Sequence, residues 1–223
     1  VSSAKSILKN PSGVVRLAGA FSQKIFNLQP PQYCMKAKTN TVEEYNKKHN
    51  NQLPEIIGEK VILAPIPDSD EFYKLYHKWL SNKDLKPKLG EEDTEYTLKE
   101  IKEMHDEWKK DFKNMTFCIL NKQTKEPIGD INLFDSEEFK NLPEISIMLG
   151  EHSGKGFGTE ASQLLLNFAF KKLKLAEINL AVYKDNLPAV ALYRKLGFET
   201  FGEIKDEDNR EEYLMKINPS FHH

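Results

Sequence analysis

A short glycine-rich turn between a predicted strand and a predicted helix constrains this chain more than any other feature. The turn reads Gly154-Lys155-Gly156-Phe157-Gly158, after a strand pattern over Pro143–Leu149 and before a helical pattern that begins near Thr159. Glycine permits positive φ and lets backbone N–H groups approach a ligand closely. A helix start adds unpaired N–H donors and about half an elementary positive charge. Such a turn suits a pyrophosphate; the alternative is a turn that is merely flexible.

Two common pyrophosphate-binding motifs do not fit the spacing of this turn. A Walker A loop places four residues between its first glycine and Gly-Lys-Ser/Thr, whereas Gly150 and Gly154 are separated by three. Lys155 is also followed by Gly156, so no hydroxyl is placed for magnesium. A dinucleotide fingerprint requires G-x-G-x-x-G, and this chain has G-x-G-x-G. Binding of a nucleoside triphosphate or of NAD is therefore disfavoured.

Hydrophobic periodicity around the turn predicts alternating strands and helices. The expected strands are Lys60–Ile66, Met115–Asn121, Ile128–Asp135, Pro143–Leu149, Ile178–Tyr183, Glu199–Ile204 and Glu211–Ile217. The expected helices are Phe72–Leu80, Thr97–Phe112, Thr159–Lys174 and Pro188–Leu196. This order predicts an α/β fold of the α+β kind, in which helices flank a mixed sheet over residues 55–218.

The N-terminal segment differs in charge from the rest of the chain. Residues 1–42 hold six of the 32 basic residues and none of the 34 acidic ones. This composition is typical of an organelle transit peptide, but equally of an arm that lies on RNA or an anionic membrane, or of a solvated tail. We expect residues 1–54 to form a basic extension and polar linker, with Lys36–Pro54 as the linker, and residues 219–223 to form a tail.

The sequence lacks the patterns of a membrane span and of a metal site. No uninterrupted apolar run approaches the roughly 18 residues that cross a bilayer. Cys34 and Cys118 lie far apart, and the six histidines form no ligand-spaced set with cysteines or carboxylates. We therefore expect no transmembrane segment and no bound metal.

A second segment, Asn186–Glu199, reads NLPAVALYRKLGFE. Together with the glycine turn it resembles the acetyl-CoA-binding motifs of the GNAT (Gcn5-related N-acetyltransferase) superfamily, R/Q-x-x-G-x-G/A and N-x-x-A-x-x-L-Y-x-K-x-G-F. The segments Tyr76–Leu80, Gly129–Phe134 and Gly156–Ala161 look most like the eukaryotic N-acetyltransferase-9-like branch. The resemblance covers about residues 56–217 and implies the GNAT acyl-CoA N-acyltransferase fold with acetyl-CoA as co-substrate.

The resemblance implies a set of cofactor-binding residues. Those expected to contact acetyl-CoA are Ile147, Met148, Leu149, Ser153, Gly154, Lys155, Gly156, Phe157, Gly158, Thr159, Asn186 and Ala189. Ser153 stands where the family has Arg or Gln, and losing a charge-assisted contact costs about 1.5–3 kcal/mol, or roughly 10- to 150-fold in affinity. Lys155 is the candidate to supply that charge. Asn186 also suits a helix N-cap, which is compatible with cofactor binding.

The resemblance further implies direct attack of an amine on the thioester. Tyr193 corresponds to the family's proton donor for the leaving thiol; the alternative is a tyrosine that only packs. For the general base we consider Glu144 first and Asp130 second, with a water chain as the alternative. The acceptor implied is an amine of a protein or peptide, at an N-terminus or a lysine.

A second functional reading comes from the basic N-terminal segment together with Ser153. It is a GNAT-fold scaffold subunit of a larger assembly, such as a mitochondrial ribonucleoprotein, with weak or no catalysis and RNA contact through residues 1–42. The basic N-terminus suggests a mitochondrial location, whereas the family resemblance suggests a cytoplasmic one.

Overall fold

The computed structural model describes residues 41–90, 94–137, 139–150, 154–206 and 208–219. The helices are α1 (Val42–Lys48), α2 (Asp70–Leu80), α3 (Lys86–Leu89), α4 (Leu98–Trp108), α5 (Phe157–Phe168), which a π-helical turn (Ala169–Leu173) extends, and α6 (Leu187–Lys195). The strands are β1 (Ile56–Ile57), β2 (Val61–Pro65), β3 (Asn114–Asn121), β4 (Pro127–Ser136), β5 (Leu142–Leu149), β6 (Ile178–Tyr183), β7 (Glu199–Lys205) and β8 (Glu211–Ile217).

The eight strands form one sheet in the order β1-β2-β3-β4-β5-β6-β8-β7. All neighbouring strands are antiparallel except β5 and β6, which are parallel. Parallel neighbours need a crossover connection, and α5 with its π-helical turn supplies it. The prediction of a mixed sheet with flanking helices is confirmed.

Side chains alternate between the two faces of the sheet, so each face has its own core. On the first face, strand residues such as Phe117 and Ile131 pack with Leu165 of α5 and Val190 of α6. On the second face, Cys118 and Met148 pack with the aromatic side chains of α2 and α4. We call these the α5/α6 face and the α2/α4 face.

Helices α2 and α4 begin at side chains that cap their first backbone N–H groups. The Ser69 hydroxyl accepts a hydrogen bond from the backbone N–H of Phe72 at 3.2 Å. Thr97 forms a capping box with Glu100, in which each side chain accepts from the backbone N–H of the other residue. These caps explain why both helices start where the sequence predicts.

Helix α1 corrects one expectation, because it lies within the segment predicted to be a linker. Asp135 of β4 accepts hydrogen bonds from the backbone N–H groups of Val42 at 3.1 Å and Glu43 at 2.9 Å. Val42 and Asn46 are buried against the α5/α6 face and β3. Apart from the core contacts of Val42 and Tyr45, the helix is held by backbone and amide hydrogen bonds, and its seven residues are too few for a periodic pattern to indicate a helix. The linker interpretation is therefore wrong over residues 41–48.

Several expectations fall outside the described residues. These include the basic extension up to residue 40, with its proposed contacts to RNA or an assembly, and Ser153. In the described ranges, no helix is both long and apolar enough to cross a membrane. The part of the chain that the structure describes also holds no group of three His, Cys, Asp or Glu side chains suited to a metal ion.

Candidate active site

Strands β5 and β6 separate along part of their length and open a split in the sheet. Their register contains one described pair, Glu144 opposite Asn179, beside which the Asn179 amide donates to the Pro143 carbonyl at 3.4 Å. Strand β4 pairs with β5 along its other edge as far as Leu149. The edge of β5 that faces β6 is therefore not covered by a strand beyond this pair, so its backbone groups need another partner.

The split forms a cleft of about 130 Å³ that reaches both faces of the sheet. On the α5/α6 face it is lined by Asn186, Ala189 and Tyr193 at helix α6. On the α2/α4 face it is lined by Asp130 and Asn132 of β4 and by the ends of α2 and α4. The cleft thus connects two chemically different surfaces.

The glycine turn lies at the border of this cleft. Gly154 and Gly156 have φ values of 82° and 84°, which L-residues with a Cβ adopt at a cost. A Cβ at Gly154 would meet no atom of the described residues within 4 Å, whereas one at Gly158 would lie 3.2 Å from the Leu149 side chain and 3.8 Å from that of Leu192. The turn is therefore anchored between β5 and α6 and open at Gly154.

The first backbone N–H groups of α5 fit an anionic ligand. Gly156 is the N-cap of α5, and no described side chain caps the helix. The N–H groups of a first helical turn point away from the body of the helix, and the helix dipole favours negative charge in front of them. A diphosphate placed at the open side of the turn would accept hydrogen bonds there, so the residues present fit coenzyme A.

Two lysines add positive charge near the turn. The Lys60 Nζ atom lies 3.5 Å from the position that a Cβ on Gly156 would take. Glu160, in the first turn of α5, accepts a hydrogen bond from the Lys60 backbone N–H at 2.8 Å and so joins the start of β2 to this helix. Lys155 is exposed within the turn itself. Sequence reasoning named Lys155 but missed Lys60, which is distant in the chain.

Tyr193 is a buried residue of α6 and lines the cleft. Its side chain is 5% exposed, and its ring contacts Phe198 edge to face with centroids 5.5 Å apart. At the start of the same helix, the Asn186 side chain accepts a hydrogen bond from the Ala189 backbone N–H at 3.4 Å. Asn186 is thus an N-cap, as the sequence predicted, and also a lining residue.

Asp130 is a buried carboxyl group at the cleft, opposite Met148 in the β4–β5 register. It is 2% exposed, and its Oδ1 atom accepts a hydrogen bond from Asn132 Nδ2 at 2.8 Å. Burial raises the pKa of Asp130 to about 7, since the charged form loses hydration; hydrogen bonds from Tyr76 and Asn132 partly oppose this rise. Asp130 therefore changes charge near neutral pH.

Glu144, the other candidate base, occupies a different place. It is fully buried at the pair where β5 and β6 meet, and it is not among the described lining residues of the cleft. The structure thus brings Asp130, Tyr193, Asn186, Ala189, Ile147 and Met148 to one cleft, with Leu149 and residues 154–159 at its border.

Sequence reasoning missed several lining residues. Tyr183 of β6 and Glu212 of β8 face each other in register, and both line the cleft together with Trp108 and the segment Lys88–Gly90. Burial and the neighbouring Glu212 and Asp206 raise the pKa of the Tyr183 hydroxyl. One signal was present for Glu212, because strand alternation places it on the same side as the buried Leu214.

Comparisons with known proteins agree with this geometry. The family described as "Acetyltransferase (GNAT) domain" matches residues 60–199. An N-acetyltransferase 9-like protein of Caenorhabditis briggsae is 33% identical over 161 residues, covering 67% of this chain and 79% of the relative. The alpha/beta-tubulin-N-acetyltransferase 9 of Homo sapiens is 32% identical over 162 residues, covering 67% of this chain and 77% of its own length.

Solved structures show the same fold. Spermidine N-acetyltransferase from Vibrio cholerae, in complex with CoA and spermine, superposes with a TM-score of 0.64 at 25% identity. The superposition covers 73% of this chain and 98% of that one.

Proposed function

Because this chain belongs to the GNAT family of acetyltransferases, we propose that it transfers the acetyl group of acetyl-CoA to an amine of a protein. The family identifies the chain as an acyltransferase; the donor, the acceptor and the residue roles are the proposal. The observation that carries it is the split between β5 and β6, with the glycine turn and the start of α5 at its border and a buried carboxyl group inside.

Residues of three elements would hold acetyl-CoA. The backbone N–H groups of residues 154–159 would bind its diphosphate, since they lie at the start of α5. The free edge of β5 at Ile147–Leu149 would pair with the amides of the pantetheine chain. Asn186 and Ala189 line the cleft on the same face. When bound, acetyl-CoA supplies a thioester open to attack by an amine and a thiol as the leaving group.

Tyr193 is proposed as the proton donor for the leaving group. Its ring is held by Phe198 on the α5/α6 face, which is the face of the cofactor motifs. A phenol can donate both a hydrogen bond and a proton, and a buried position keeps competing water away.

Asp130 is proposed as the base that removes a proton from the acceptor amine. An amine attacks only when its lone pair is free, so a proton acceptor is required. The pKa of about 7 makes the Asp130 carboxylate a base matched to neutral pH. Asp130 lies on the α2/α4 face, opposite the cofactor motifs, where an acceptor can enter from the other side of the sheet.

A protein amine is the proposed acceptor because relatives with about a third of positions identical are named as tubulin N-acetyltransferases. The carboxyl groups of Asp130 and Glu212 in the cleft favour a group that carries positive charge before it reacts. Both an N-terminal α-amine and a lysine ε-amine fit this chemistry. The solved neighbour that binds spermine makes a polyamine the competing acceptor.

The test uses the purified chain with acetyl-CoA and three acceptors. These are a peptide with a free N-terminus and no lysine, an N-terminally blocked peptide with one lysine, and spermidine. We expect acetylation of at least one peptide at a kcat/KM at least tenfold above spermidine, measured by mass spectrometry and thiol release. A preference for spermidine would contradict the protein acceptor, and no binding of CoA by calorimetry would contradict the acetyl-CoA assignment.

A further inference from the structure

Arg210, just before β8, makes a set of contacts to which the proposed function assigns no role. Its Nε and Nη2 atoms donate to the two carboxylate oxygens of Asp185 at 3.2 and 3.0 Å. Its Nη1 atom donates to the Pro87 carbonyl at 2.5 Å. Its guanidinium carbon lies 3.7 Å from the centre of the Tyr183 ring. We call this set of contacts the Arg210 clasp.

The Arg210 clasp joins three segments that are far apart in sequence. Arg210 belongs to the β7–β8 hairpin, where its backbone N–H also donates to Asp206 Oδ1 at 2.8 Å. Asp185 precedes α6, and Pro87 lies in α3. A guanidinium has five donors in a plane, so one side chain can bind a carboxylate bidentately, reach a carbonyl and stack on a ring. The Arg210 side chain is 22% exposed and that of Asp185 is 64% exposed, so water screens this ion pair more than it screens the part-buried contact with Pro87.

Helix α3 depends on such contacts for its position. It has four residues, too few for a helix that is stable by itself. Gly90, which ends it with a φ of 71°, packs so closely on Tyr183 that an added Cβ would lie 2.6 Å from the tyrosine hydroxyl. An ion pair between Lys86 and Glu95 at 2.6 Å is a further tie. The clasp therefore fixes α3 against β6.

Helix α3 forms the cleft wall on the acceptor side. Lys88, Leu89 and Gly90 line the cleft, and Leu89 packs with the core of the α2/α4 face. That face carries Asp130, whereas the cofactor motifs belong to β5, the glycine turn and α6. A shift of α3 would thus change the space beside Asp130 while leaving the cofactor-binding elements in place.

We propose that Arg210 is a positioning residue for the acceptor, because it holds the wall Lys88–Gly90 beside the catalytic cleft. The inference rests on the proposed function, since it concerns the acceptor of that reaction. Arg210 does not touch the reacting atoms. Its effect passes through the position of α3, so it should change the KM of the acceptor more than the KM of acetyl-CoA or kcat.

The experiment compares Arg210→Met and Arg210→Lys with Lys205→Met. Lys205 lies on the same hairpin and forms an exposed ion pair with Glu211 at 3.5 Å, so Lys205→Met removes the same charge without touching the clasp. We expect both Arg210 variants to raise the acceptor KM tenfold or more, with kcat and the acetyl-CoA KM within about threefold of the parent. Lys205→Met should change none of the three values by more than twofold.

Hydrogen exchange provides a readout that does not depend on turnover. In the parent, the amides of Lys88 and Gly90 donate to the carbonyls of Leu85 and Pro87, and we expect them to exchange at least tenfold faster in both Arg210 variants. If the Arg210 variants had the acceptor KM or the amide exchange rates of the parent, the proposal that Arg210 positions α3 for the acceptor would be wrong. An inactive parent would instead contradict the proposed function, with the exchange result still deciding whether Arg210 holds α3.

Discussion

Asp130 and Tyr193 line one cleft from opposite faces of the sheet. Asp130 extends from β4 among the side chains of the α2/α4 face, and Tyr193 extends from α6 among those of the α5/α6 face. They can share a cleft because β5 and β6 separate after the pair Glu144–Asn179. The proposed base on the acceptor side and the proposed proton donor on the cofactor side would be arranged as direct acyl transfer needs.

Substitution Tyr193→Phe should lower kcat by roughly 10²-fold or more, since general acid catalysis contributes about 10²–10⁴-fold. The ring remains to pack against Phe198, so the dissociation constant for CoA should stay within about threefold of the parent. Steady-state kinetics and calorimetry with CoA check the two quantities separately. Equal kcat in the two proteins would remove Tyr193 from the mechanism.

Substitution Asp130→Asn should remove the rise of activity with pH that we expect of the parent around neutral pH. The proposed base works only as a carboxylate, and its pKa is raised to about 7, so kcat/KM of the parent should increase as pH rises through that value. The variant should lose at least tenfold at pH 8 and lack this inflection. A parent profile with an inflection below pH 5 would contradict the assignment.

The same substitution should stabilise the protein at alkaline pH. The pKa of Asp130 in the folded protein lies above that of an unfolded carboxyl group. The contribution of this one group to stability is therefore complete below about pH 4 and is lost as pH rises through about 7. At pH 8, Asp130→Asn should therefore raise the free energy of unfolding, by at most about 4 kcal/mol. Denaturant melts at pH 5 and pH 8 test this, and a larger gain at pH 5 would contradict it.

Substitution Gly154→Ala should weaken CoA binding, with Gly197→Ala as its matched control. Both glycines have positive φ, at 82° and 94°, so each alanine should cost about 1–2 kcal/mol of stability. Only Gly154 belongs to the turn proposed to bind the diphosphate; Gly197 follows α6. We expect the dissociation constant for CoA to rise at least fivefold in Gly154→Ala alone. Similar affinities in the two variants would argue against a diphosphate at this turn.

Substitution His105→Phe should reduce the loss of stability on acidification. His105 is 1% exposed among aromatic rings, stacks on Trp108 with centroids 4.8 Å apart, and has its pKa lowered to about 3 by burial. A group with a lowered folded pKa and an unfolded pKa near 6.5 loses its contribution as pH falls from about 6.5 to 3. Melting temperatures from pH 7 to 4 should fall less steeply in the variant than in the parent, and equal slopes would contradict this.

The sequence predicted the parts of the candidate site that depend on backbone conformation, namely the glycine turn and the start of α6. The glycines at 154 and 156 have the positive φ that their residue type suggested, and Asn186 caps α6 as its position implied. The order of strands and helices followed from hydrophobic periodicity, because burial of one face imposes that period on the sequence. Helix α1 was not predicted because its seven residues, of which Val42 and Tyr45 contact the core, are too few for a periodic pattern to be recognised.

By itself, the sequence determined the family, the mixed sheet and the glycine turn, since backbone preferences and strand alternation depend on residues that are close together in the chain. The tertiary structure decided which carboxyl group reaches the cleft. Glu144 and Asp130 both have polar positions on predicted strands, yet one is buried where β5 and β6 meet and the other faces the space where they separate. It also brought Arg210 to α3, 123 residues away. Contacts between distant segments depend on how strands pair, and the alternation within one strand does not show which other strand lies beside it.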